Sequence, residues 1–120
     1  MARPIHFELP ADDPSRAIRF YEQAFGWSFE KWEGPMPYWM IKTGEGPGID
    51  GGLTPRQPGL AGSNTVLGVD SIDSAVASVV AAGGRIVFPK QAVPTVGWTA
   101  YATDSEGTLF GMMQFDPEAQ

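Results

Sequence analysis

The stretch "IHFEL", residues 5 to 9, carries the chain's only histidine and, two residues on, a glutamate. The alternation of apolar and polar residues suits a strand covered on one face, so Ile5, Phe7 and Leu9 face a core while His6 and Glu8 share the opposite face. A histidine titrates near neutral pH and is the natural proton-transfer group; a carboxylate beside it can orient it or act as a base itself. The pair is therefore the first candidate catalytic site. No nucleophile or second strong metal ligand accompanies it, and with no cysteine anywhere thiolate chemistry is excluded. Ligand recognition by His6 and Glu8 is accordingly favoured over catalysis.

Aromatic residues are the second resource: four tryptophans, three tyrosines and seven phenylalanines in 120 residues. The strand-like stretches "PYWMIKTG" and "GWTAYATD" each carry both Trp and Tyr, which places rings on both faces of each strand. Trp39 with Tyr101, or Tyr38 with Trp98, would then line a binding surface and stack a flat or cationic ligand. Met113 would add an adaptable apolar wall. The glycine-rich "GEGPGIDGG" (44 to 52) does not read as a phosphate loop, because it lacks the Gly-Lys-Ser/Thr ending and opens no helix.

These residues need elements to hold them, and the chain supplies the same order twice. After the first strand, Asp12 or Asp13 can cap a helix, Pro14 suits its first turn and Gly26 ends it. Ala17, Phe20, Tyr21 and Ala24 give the helix one apolar stripe, which assigns Phe20, Tyr21 and Phe25 to core packing. Three strand candidates follow: "WSFEKWEG", "PYWMIKTG" and "GIDGGL". The second half repeats this with "TVLGV", a helix capped by Asp70 or Ser71 and closed at Gly83-Gly84, then "RIVFPK", "GWTAYATD" and "TLFGMMQ". A shift of 60 residues superposes Gly51 on Gly111, with a slip of two at the helix ends. The expected fold is α+β, two βαβββ modules in tandem, forming a curled sheet around a cleft. Module one runs over about residues 1–54, a linker over 55–63 and module two over 64–116. The linker, with Arg56, is expected to be exposed and flexible, and the tail "DPEAQ" loose.

A net charge of -6 and a pI near 4.5 argue against nucleic acid or an anionic membrane as partner. No apolar run reaches transmembrane length and the N-terminus lacks a signal-peptide pattern, so a soluble cytoplasmic protein is expected.

The order of elements, together with "AIRFYEQAFGW" and the closing "DSEGTLFGMMQ", resembles the vicinal oxygen chelate superfamily. That group includes glyoxalase I, fosfomycin resistance proteins, extradiol dioxygenases and bleomycin resistance proteins. The closing stretch is similar to the family's Asp-Pro-Glu-Gly-Asn-x-x-Glu-Leu pattern, with Ser105, Thr108 and Gly111 replacing the proline, the asparagine and the second glutamate. The resemblance implies metal ligands on the first and last strands of each module, here His6, Gly51, Asn64 and Gly111. Of these only His6 is a good ligand and Asn64 offers only an amide oxygen, whereas a catalytic zinc wants about three protein ligands. No cofactor is expected.

The leading expectation is a metal-free family member, similar to the bleomycin resistance group, that binds a small aromatic or cationic organic molecule through His6, Glu8, Trp39, Asn64, Trp98, Tyr101 and Met113. The alternative is a metal-dependent glyoxalase-like lyase or isomerase, or a dioxygenase, using His6 and Glu8. A third is an assembly module with a vestigial cleft. The resemblance implies a homodimer under all three.

Overall fold

The computed structural model describes residues 2–120. Ten elements follow in chain order: β1 (Arg3–Ala11), α1 (Pro14–Phe25), β2 (Ser28–Lys31), β3 (Trp39–Lys42), β4 (Gly51–Pro55), β5 (Asn64–Gly68), α2 (Ile72–Ala81), β6 (Arg85–Val93), β7 (Gly97–Thr103) and β8 (Leu109–Phe115). This is βαβββ twice, mixed α and β. The chain divides into two compact units, residues 6–63 and residues 64–120 with 2–5.

In the first unit the strands lie in the order β2-β3-β4-β1. β1 runs parallel to β4 with Phe7 opposite Gly51 and Glu8 opposite Gly52. β4 is antiparallel to β3, which places Met40 against Gly52 and Trp39 against Leu53. Helix α1 begins where the Asp13 carboxylate accepts the Arg16 N–H, with Pro14 in the first turn. It stops at Gly26, whose φ of 72° only glycine adopts without strain. Ala11, Ile41 and Leu53 form the buried core, with Phe7, Leu9, Ala17, Ile18, Trp27, Phe29 and Trp39 packed around them.

The expected stripe on α1 is corrected here. Ala17 and Ile18 meet the core and Tyr21 stacks flat on Trp27 at 5.1 Å. Phe20 and Phe25 instead stay 57% and 63% exposed, their rings edge-on to each other at 6.4 Å. The linker also differs from expectation: Leu60 is buried, and Arg56 pairs with Asp12 at 2.7 Å and donates to the Ala61 carbonyl.

In the second unit the order is β5-β8-β7-β6, with β5 parallel to β8 and β7 antiparallel to both β8 and β6. Ser71 caps α2 by accepting the Ser74 N–H, and the Ile72 N–H is satisfied by Gln114 Oε1. Ile72, Ala100, Ala102 and Met112 form the core under α2. Strand β6 outruns its sequence expectation, and the pairing shifts register between Phe88 and Gln91, around Pro89, on an edge strand where a missing N–H is tolerated. The tail is tied rather than loose: Ala119 is fully buried and its carbonyl accepts the Thr95 N–H at 3.0 Å.

Both cores rest on a few fully enclosed aliphatic side chains. Leu53→Ala and Ile72→Ala should each lower the unfolding free energy by about 2–5 kcal/mol, read from urea midpoints at unchanged slope.

Candidate functional site

On β1 Phe7 and Leu9 pack toward α1 as expected and His6 and Glu8 occupy the face away from it, while Ile5, expected in a core, is 36% exposed near the start of the strand. That face is not left to water. Glu8 is only 8% exposed and His6 is half-buried. The reason is Tyr38, which sits just before β3 and whose carbonyl accepts the Trp32 N–H at 2.8 Å. Its hydroxyl lies 2.7 Å from His6 Nε2 and donates to Glu8 Oε2 at 3.2 Å. A phenol has one proton to give. With that proton on Glu8, His6 Nε2 carries the hydrogen that meets the phenolic oxygen, and Nδ1 keeps the lone pair of the neutral ring.

Electrostatics favour this arrangement. Burial holds the His6 pKa below its usual 6.5, opposed by the nearby Glu8 and Asp50 carboxylates. Burial, followed by the Glu8 charge and the hydrogen bond to it, pushes the Tyr38 phenol well above its ordinary range. Neither group is charged near neutral pH.

Gly52 makes room for the hydroxyl. A Cβ built on Gly52 would overlap Tyr38 Oη and Cζ, so the phenol fills the space of a missing β4 side chain. Gly51 points the other way, toward the Phe7 ring. This corrects the expected correspondence between the halves. The helix caps equate Asp13 with Ser71, hence His6 with Asn64, and strand pairing then equates Gly52, not Gly51, with Gly111. A uniform shift of 60 misleads because the first strands and helix caps match at a shift of 58 and the last strands at 59.

The aromatic assignments also change. Trp39 packs on the core beneath α1, and Trp98 on the core beneath α2, where its Nε1 donates to Asp116 and Lys90 lies 4.5 Å over its ring. Neither lines the opposite face, because each shares strand parity with buried residues, Ile41 and Ala100 respectively. Of the four candidate rings, Tyr38 and Tyr101 are the ones on the faces away from the helices. Tyr38 belongs to the first unit; in the second, Tyr101 lies against Gly111 and meets Phe88 edge-on at 5.9 Å. Asn64 and Met113 share that second face, and the buried Asn64 Oδ1 has no hydrogen-bond donor among the described residues. The structure thus brings His6 and Glu8 together through Tyr38, while Asn64, Tyr101 and Met113 form a separate group within the other unit.

Sequence reasoning also passed over Asp50, which closes the glycine-rich loop. Its carboxylate accepts the Thr43 N–H at 2.9 Å, and that bond, first among its partners, holds its pKa down. A polar hollow of about 240 Å³ forms beside it, lined by Thr43, Glu45 and Asp50 among others.

The donors do not fit the metal that the resemblance implies. β4 brings no side chain at Gly52, Tyr38 holds the vacated space, and among the described residues no group of three His, Cys, Asp or Glu could hold an ion. Among the described residues no helix is long and apolar enough to cross a membrane.

Fold and site together define a protein of paired βαβββ modules whose first module carries a half-buried His–Tyr–Glu cluster. The chain belongs to the Glyoxalase/Bleomycin resistance protein/Dioxygenase superfamily, whose model matches residues 3–112. It is 29% identical over 114 residues to the protein named "Putative glyoxylase CFP32" in Mycobacterium tuberculosis and Mycobacterium bovis. The match covers 92% of this chain and 43% of those proteins, so the chain spans less than half the length of these curated relatives. Among solved structures it is similar to methylmalonyl-CoA epimerase from Mycobacterium tuberculosis, with TM-score 0.71, 15% identity and coverage of 95% and 88% of the two chains. A methylmalonyl-CoA epimerase in complex with methylmalonyl-CoA and NH4+ matches with TM-score 0.69, 16% identity and coverage of 100% and 99%. At these identities the structures share the fold.

Two outcomes follow from the cluster. Tyr38→Phe removes the hydroxyl from a buried acceptor and should cost about 1–3 kcal/mol in chemical denaturation. Because the His6 pKa is lowered in the folded state, the unfolded chain takes up the proton first as pH falls below 6.5. Stability should therefore drop from pH 6.5 downward and level off below the folded-state pKa, and His6→Gln should flatten that part of the profile.

Proposed function

We propose that the chain is a small-molecule-binding member of the superfamily that works without a metal, taking an organic ligand with a cationic or flat aromatic group on the face of the first module away from α1. The observation that carries this reading is the Tyr38 hydroxyl in the Gly52 notch, which gives His6 and Glu8 a common partner that is part of the protein. Strand parity puts the carboxylates of Glu8, Glu30 and Asp50 on that face, against the single ammonium of Lys42. Trp32, meeting Tyr38 edge-on at 6.4 Å, adds an aromatic surface, and Met40, 38% exposed, a flexible apolar one. An acidic surface with aromatic rings attracts an organic cation by charge and by ring quadrupole. Within the second unit, Asn64, Tyr101 and Met113 offer a hydrogen-bond acceptor, a ring and an apolar side chain on one face of their own sheet. A second copy of the chain is the protein partner that the exposed Phe20 and Phe25 support.

The second reading, a lyase or isomerase of glyoxalase type using His6 and Glu8, draws on one observation: a neutral histidine oriented through one nitrogen leaves the other as a proton acceptor, as a general base requires.

Fluorescence titration with aryl amidinium and aryl ammonium compounds, after exhaustive chelation, tests the first reading. Tryptophan quenching that saturates, is weaker for neutral isosteres and weakens in Glu8→Gln is expected. Stoichiometric metal in tag-free protein, lost in His6→Ala, would overturn it in favour of the metal-dependent enzyme.

A further inference from the structure

The mismatch between this site and a metal centre has a specific cause. The phenolic oxygen of Tyr38 lies 2.7 Å from His6 Nε2 and 3.2 Å from Glu8 Oε2. Two donors on one strand face therefore converge on a single point, somewhat beyond the roughly 2.0–2.2 Å of a metal–ligand bond. The residue paired with Glu8 across the parallel strands is Gly52, which is buried and adjacent to that point yet bears no side chain. Its backbone is outside the left-handed region, so the strand itself accepts any residue there.

We propose that Tyr38 is the residue that keeps a divalent cation out of the first module, and that the module is otherwise one carboxylate short of a metal site. The inference rests on the metal-free reading given above. Three effects act together. The hydroxyl engages both potential donors at once. The ring is wedged against Trp32, whose own ring packs over Gly34, so it does not swing aside freely. It also fills the volume that a side chain at position 52 would need, so a third donor cannot enter while Tyr38 is present. Phenol and carboxylate are mutually exclusive occupants of one notch.

Cobalt(II) reports its own ligands by visible absorption, so the test needs no activity. Wild-type protein is expected to leave equimolar cobalt(II) free. The Tyr38→Ala/Gly52→Glu variant is expected to take up one equivalent with new ligand-field bands, and adding His6→Ala to abolish them. A folded double variant that leaves cobalt free overturns this inference while the metal-free reading stands. Wild-type protein that binds one equivalent through His6 overturns both. Should the double variant not fold, Gly52→Ala is compared in the wild-type and Tyr38→Ala backgrounds by chemical denaturation. The exclusion account requires a larger loss of stability where Tyr38 is present, and equal losses refute it.

Discussion

One hydroxyl group organises the first module. Glu8 lies on a strand face where only 8% of it reaches solvent, and a carboxylate so placed needs a donor. Tyr38 supplies it, and the same oxygen meets the only histidine. Everything else about this face depends on bringing a phenol from the β2–β3 connection to the middle of β1. The parallel register of β1 and β4 sets Glu8 opposite Gly52; the antiparallel register of β3 and β4 sets Met40 opposite the same glycine. Tyr38, two residues before Met40, thereby reaches across β4 only because residue 52 has no side chain to stop it. The backbone bond from Trp32 to Tyr38 fixes where the connection ends and the ring begins.

The two modules repeat one plan with different chemistry on the corresponding faces. In both, the final strand carries a bare glycine next to a tyrosine from the preceding strand region: Gly52 with Tyr38, Gly111 with Tyr101. The tyrosines do not do the same thing. A Cβ at Gly52 would overlap Tyr38, whereas one at Gly111 would meet the Tyr101 ring at 3.0 Å, a tight approach that a small shift relieves. Correspondingly, His6 and Glu8 have a protein partner in common, while Asn64 Oδ1 is buried with no donor among the described residues. An acceptor in that state is normally met by water or by a ligand N–H. The first module is thus internally satisfied and the second is left with an unanswered acceptor.

Much of the fold was legible because local signals agreed with each other. Asp13 and Ser71 as caps, Gly26 and the glycines after α2 as stops, and the parity of "IHFEL" all describe short-range chemistry that tertiary contacts did not override. The site was less legible for a matching reason. Whether Tyr38 or Trp39 faces away from the helix depends on where β3 begins, and both choices satisfy an aromatic-rich strand; the deciding contact, with Glu8, is 30 residues away in sequence. The one-residue difference between Gly51 and Gly52 likewise reverses the face, as any strand slip does. Phe20 and Phe25 fit a helical stripe by spacing, yet stripe width says nothing about how much sheet lies beneath it.

The bare glycine at position 52 reads as a gap only if it is considered alone. A histidine and a carboxylate buried on one strand face with no charge to balance them are unstable unless another group replaces the water they have lost. The replacement must offer a donor to the carboxylate, an acceptor to the imidazole and enough bulk to fill the hole. A phenol meets all three conditions with one group, carries no charge at neutral pH, and brings an apolar ring to occupy the remaining volume. Gly52 and Tyr38 are therefore one structural unit divided between two strands: the glycine is what admits the ring, and the ring is what makes the glycine tolerable beside Glu8.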